Sequence, residues 1–165
     1  MKNIVLLSLS LMFSSTLAYA QIDIEPSEII VRKTGLAMTN NITYGNTVQE
    51  MITAFGQPTS TNTQYWEMLE KTVNVYNYGT DASFTFEDGK LRTIDLYSSI
   101  FYIGKVGHLV YIKIGENTST LQQKFATAYA ERADGKIYIF IGIAEFLLVK
   151  YDSNNIITEI IHNPG

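Results

Sequence analysis

The chain has 165 residues, no cysteine, and a net charge of −4 from 12 Lys and Arg against 16 Asp and Glu. Scattered basic residues in an acidic chain argue against nucleic acid, which needs a concentrated basic face. The lack of cysteine excludes disulfides, thiolate metal sites, a cysteine nucleophile and a lipid anchor on an N-terminal cysteine. Stability must therefore come from a core, which a 46% hydrophobic composition with 11 Tyr and 8 Phe can supply.

In chain order, Lys2, the apolar run from Ile4 to Phe13 and Ala18-Tyr19-Ala20 before Gln21 have the three parts of a secretory signal peptide. Residues 1–20 are expected to be removed, leaving the remainder periplasmic or secreted. No later run is long and apolar enough to predict a membrane span. Residues 21–41 read as a lead-in segment in which Ile29-Ile30-Val31 could add one strand to a sheet.

A motif then occurs twice. Ile42-Thr43-Tyr44-Gly45 is followed by Met51 and Phe55, and Ile112-Lys113-Ile114-Gly115 by Leu121 and Phe125 at the same offsets, 70 residues on. A period of that length suits one supersecondary unit per copy. The reading is a first α+β repeat over 42–110 and a second over 111–165.

In the first repeat Thr47-Val48-Gln49-Glu50 has the form of a capping box, and Val48, Met51, Ile52 and Phe55 make one helical stripe that Gly56 and Pro58 end. Val73 to Tyr78, Ala82 to Glu87 and Lys90 to Tyr97 read as an antiparallel meander, with Asp88-Gly89 as a two-residue turn. Strict alternation from that turn puts Phe84, Phe86, Leu91 and Thr93 on one face and Thr85, Arg92, Ile94 and Leu96 on the other. In the second repeat Asn117 or Thr118 could cap a helix with the stripe Leu121, Phe125 and Tyr129. Strands are predicted over 137–143, 145–151 and 156–162. Ile137, Ile139, Ile141 and Ile143 line one face of the first of these, with Tyr138 and Phe140 on the other. Such a strand is covered on both sides, by its own protein or by a partner. The fold class predicted is α+β: a tandem repeat of a helix followed by an antiparallel β-meander, the sheets forming one concave face.

Gly45-Asn46-Thr47, Met51, Phe55-Gly56-Gln57-Pro58 and the hairpin Phe84-Thr85-Phe86-Glu87-Asp88-Gly89-Lys90-Leu91 resemble one repeat of the β-lactamase-inhibitor-protein-like fold. They also resemble the small lipoprotein of the outer-membrane barrel assembly machinery. The second copy departs, with Ala126 in place of Gly56 and Asn117 in place of Thr47, and the disulfides or lipidated cysteine of those proteins are missing. The resemblance implies an exported, non-catalytic protein that binds another protein through its sheet face and loops, and Asp81 is the nearest match to an acidic loop residue that enters the target of the inhibitor.

The residues offer little chemistry. His108 and His162 sit in no ligand-spaced motif, the serines lack a nucleophile elbow, and Gly104-Lys105-Val106-Gly107 is not a phosphate loop. Glu67, Glu70, Asp81, Glu87, Asp88 and Asp95 cluster in the first repeat, where turns attract acidic residues anyway. No catalytic residue, metal site or cofactor is expected. The expected contact residues are Thr85, Arg92 and Ile94 on the face away from Phe84 and Phe86, and Asp81 in the loop before the strand over 82–87, with Tyr65 and Trp66 either a binding hot spot or a core plug, the core being favoured. The expected partner is an unidentified protein, bound in an inhibitor-like, immunity-like or envelope-assembly role. A small-ligand binder or hydrolase with an apolar pocket in the second repeat, and a homodimer, are the alternatives.

Overall fold

The computed structural model describes residues 22–67, 70–107 and 111–165; the expected signal peptide and His108 lie outside the described residues. In chain order the elements are β1 Ile29–Lys33, β2 Asn41–Ile42, α1 Val48–Phe55, β3 Ser60–Trp66, β4 Lys71–Tyr78, β5 Ala82–Glu87 and β6 Lys90–Leu96. They continue with β7 Phe101–Lys105, β8 Ile112–Lys113, α2 Ala126–Ala130, β9 Lys136–Phe140, β10 Phe146–Tyr151 and β11 Ile157–Asn163. A seven-stranded sheet runs β3-β4-β5-β6-β11-β10-β9 and a four-stranded sheet runs β2-β1-β7-β8. Every pairing is antiparallel.

This corrects the predicted class. The protein is mainly antiparallel β with two short helices among the described residues, and a tandem repeat of helix plus meander is not what the chain builds. The meanders do not lie as separate modules, because β6 pairs with β11 through Leu96 with Ile160 and Asp95 with Ile161. The lead-in is structural too: β1 pairs over its whole length with β7 inside the smaller sheet.

The first helix forms for local reasons. Thr47 Oγ1 accepts from the Glu50 amide at 3.3 Å and Glu50 Oε2 accepts from the Thr47 amide at 2.6 Å, satisfying two orphan donors of the first turn. Gly56, at φ 84°, lets the chain leave the helix. Met51, Ala54 and Phe55 are its buried residues. Where the second helix is expected, Thr118–Leu121 forms only a 3-10 turn capped by Asn117. Its threonines and serine favour caps and turns over helix interiors, and Phe125 leaves helical geometry at φ −139°, ψ 63°, so only five residues of helix follow. Phe55 meets Tyr78, Phe84 and Phe101 edge-on or tilted, whereas Phe125 packs on Tyr111. The two phenylalanines therefore sit in different surroundings.

What the two glycine motifs do share is backbone pairing. The Gly45 amide donates to Leu91 O and the Leu91 amide to Asn46 O; the Gly115 amide donates to Ile157 O and the Ile157 amide to Glu116 O. Both glycines have positive φ, at 81° and 89°, which spares them the cost a side chain would incur there.

One core joins the elements. Ile29, Val31, Ile42, Phe101, Ile103 and Ile112 of the smaller sheet cluster with Phe84, Ile94, Leu96, Ile137, Ile139 and Ile160 of the larger one, and with Met51, Phe55, Leu121 and Phe125.

Candidate functional site

Directly paired residues of an antiparallel ladder share a face, so the registers divide the seven-stranded sheet into a core side and an outer side. Tyr76, Phe84, Ile94 and their partners turn to the core. Val75, Thr85 and Thr93 turn outward with Ser83 and Asp95, and the outer side continues through Ile161, Leu148 and Tyr138. None of these outer residues belongs to the core cluster.

One expected contact residue is on the wrong side of this division. Ile94 is fully buried, pairs with Phe84 and lies in the core. The cause is a β-bulge: Thr85 pairs with Thr93 and Phe86 with Leu91, leaving Arg92 as an extra residue in β6. An inserted residue reverses the alternation beyond it, which returns Ile94 and Leu96 to the core and moves Thr93 out. Thr85 does face outward but is 4% exposed.

Arg92 is the centre of a run of ion pairs that starts from Lys71 and Glu87 on the outer side and ends at Glu145 beside His162. Lys71 Nζ of β4 meets Glu87 Oε1 of β5 at 2.6 Å, Glu87 Oε2 lies 3.9 Å from Arg92 Nε, and Arg92 Nη1 reaches Glu145 Oε1 at 2.6 Å. Arg92 Nη2 also donates to Pro164 O at 2.9 Å, tying the C-terminal residues to the hairpin.

Behind these ion pairs lies a polar relay. Glu145 Oε1 is 2.9 Å from His162 Nε2, and His162 Nδ1 is 3.2 Å from Tyr44 Oη. His162 pairs with the core residue Leu147, and its side chain is wholly buried. Burial, reinforced by the Arg92 charge, pushes the imidazole down to about 3, so it is neutral. A carboxylate can only accept, so Nε2 carries the proton toward Glu145 and Nδ1 accepts from Tyr44. Burial and the nearby Glu145 and Asp95 carboxylates hold the Tyr44 hydroxyl well above its ordinary value, keeping it a donor. Asp95, pushed up to about 6 by burial, accepts the His162 amide at 3.1 Å. That bond falls where the β6–β11 ladder has ended, so side chains join the strands where the backbone no longer does.

Chemically the relay is saturated. Both imidazole nitrogens are engaged within the chain, and the carboxylate oxygen that meets His162 is also held by Arg92. Sequence reasoning missed Tyr44 and Glu145, since neither has a spacing that marks it; only the isolated His162 was a signal.

The other expected residues are dispersed. Tyr65 and Trp66 end the edge strand β3, with Tyr65 59% exposed and Trp66 partly exposed, and neither is in the core cluster. The favoured core role is corrected: the polar run Ser60 to Gln64 carries both residues out along the sheet edge. Asp81 lines an open depression of about 250 Å³ with Lys33, Gln57, Tyr78 and Phe101, apart from Arg92 and Thr85. In the second half, the depression of about 730 Å³ beside α2 is lined mostly by polar residues, Ser119, Gln122, Gln123, Tyr129 and Arg132, with Ala126 and Ala130.

The apolar part of the outer side lies on β9 and β10. Tyr138 pairs with Leu148 and Phe140 with Phe146; Tyr138 meets Phe146 edge-on at 5.2 Å, and Phe140 meets it at 6.0 Å. Tyr138 is 40% exposed and the other three are partly exposed. Ile143, expected on one face with Ile137, Ile139 and Ile141, is 86% exposed, because β9 ends at Phe140 and the chain turns there. No protein family, curated protein or solved structure matches this chain.

Proposed function

We propose that the chain is an exported, non-catalytic protein-binding module whose contact surface is the outer side of the seven-stranded sheet, centred on Tyr138, Phe140, Phe146 and Leu148. The observation that carries this is the aromatic and aliphatic group on β9 and β10, facing away from the core and partly exposed. Aromatic clusters flanked by a polar rim have the composition of an interface centre, and the Lys71–Glu87 ion pair supplies charge on the same side. A paired sheet is already ordered, so binding on it loses little conformational entropy. The saturated Tyr44–His162–Glu145 relay favours binding over catalysis. Within this reading, an inhibitor-like or immunity-like role and an envelope-assembly role differ only in the partner.

The test is retention of proteins from a native envelope extract on the immobilised chain. Phe146→Asp with Leu148→Lys should abolish retention of the partner while lowering the melting temperature by no more than a few degrees. Asn154→Lys, in the turn between β10 and β11, should leave retention intact. Retention that survives the double substitution would remove the outer side as the contact surface.

A further inference from the structure

We infer that the free edge of β3 pairs with the same edge of a second copy of this chain, forming a closed two-fold dimer. This edge is separate from the face proposed above, and the inference does not rest on that proposal.

The two edges of the large sheet are finished differently. At β9, the Asp23 amide donates to Phe140 O at 2.8 Å and Asp23 Oδ2 accepts the Phe140 amide at 2.9 Å. At the other end of β9, Ala133 and Lys136 exchange both backbone bonds, at 3.2 and 2.9 Å. Alternation leaves only Tyr138 facing out between these two caps.

β3 carries no such cap. It ends the strand order, and among the described residues no strand lies beyond it. It pairs with β4 over seven consecutive residues without a register shift, and all but Trp66 are exposed. It lacks the devices that blunt an edge, having no charged residue, no proline and no bulge within it. The edges of the smaller sheet, β2 and β8, are two residues each and offer little to pair with.

The occupant follows from the residues of β3 itself. Paired antiparallel about Thr63, two copies set Asn62 against Gln64, Thr61 against Tyr65 and Ser60 against Trp66. Amide pairs and threonine–aromatic pairs are favourable across a ladder, and no like charges meet although each chain carries −4. The contact also closes. Head-to-tail pairing of β3 on β9 would propagate into a filament, but β9 is capped at both ends, so only the self-complementary contact remains.

Sedimentation equilibrium over roughly 1 to 300 μM tests this, since an edge contact of this size implies weak association. A monomer–dimer equilibrium is expected, with Thr63→Lys weakening it at least about tenfold by placing like charges opposite each other. The melting temperature of the dilute variant should match that of the parent. Because the chain has no native cysteine, Thr63→Cys under mild oxidation should yield a disulfide-linked dimer, and Ser60→Cys should not. A monomer throughout the range, a dimer indifferent to Thr63→Lys, equal cross-linking at both positions, or a ladder of higher oligomers would each overturn the inference.

Discussion

Glu145 Oε1 stands 2.9 Å from His162 Nε2 and 2.6 Å from Arg92 Nη1, so one oxygen joins a wholly buried imidazole to the guanidinium that bulges from β6. Glu145→Ala leaves His162 Nε2 without its acceptor and takes one of the contacts of Arg92, which keeps Pro164 O. Because Arg92 and Glu145 retain 34% and 21% exposure, solvent screens part of the loss, and the expected cost is about 1–3 kcal/mol. Glu145→Gln keeps an acceptor and should cost less. Urea unfolding reads both, and an unchanged midpoint for Glu145→Ala would mean the relay adds nothing to stability.

The relay also sets a pH dependence. His162 titrates near 6.5 when unfolded and is pushed down to about 3 when folded. The unfolded chain therefore binds more protons between those values, and the stability that neutral His162 contributes is lost as pH falls from about 6.5 toward 3. Asp95 works the other way. With its folded value raised from 3.8 to about 6, it costs stability above about 6 and relieves that cost as pH falls toward 3.8. The two effects offset between about pH 4 and 6. Asp95→Asn should leave a protein whose urea midpoint falls steadily below pH 6.5, and His162→Asn one whose midpoint rises from pH 6 to 4. Parallel pH profiles for the two variants would exclude this balance.

Ile94 separates the two assignments of the hairpin faces. If it faced a partner, Ile94→Ala would spare stability. Buried beside Phe84, it should cost about 2–5 kcal/mol on truncation, the range for emptying a core site. Denaturant unfolding of the single variant decides between them.

Asp23 is a small residue in a consequential place. Asp23→Ala leaves the Phe140 amide without its acceptor and removes part of the cap on β9. Light scattering on warming should then rise at a lower temperature and more steeply with concentration than for the parent. Identical scattering would show that the edge is protected without it.

Local rules were the legible part of the sequence. The Thr47 capping box, the Asp88-Gly89 turn with φ of 49° and 76°, and the meander strands are set by neighbours a few residues away. Three kinds of information were not legible. A polar strand such as β3 carries no apolar alternation, so Ser60 to Trp66 could not be recognised from period alone. The Arg92 bulge leaves no mark in composition, yet it decides the side on which Ile94 sits. The Tyr44–His162–Glu145 contacts depend on tertiary placement, since Tyr44 meets His162 from a loop tied to the sheets by the Gly45–Leu91 and Thr43–Ile29 bonds.

The seam between β6 and β11 has a consequence for how the molecule assembles in time. The β5–β6 and β10–β11 hairpins close over short turns, whereas Leu96 and Ile160 must find each other across ~60 residues of chain, an entropy cost met before the contact returns anything. The hairpins are therefore expected to form before the seam, and truncating Ile160 should accelerate unfolding more than it slows refolding.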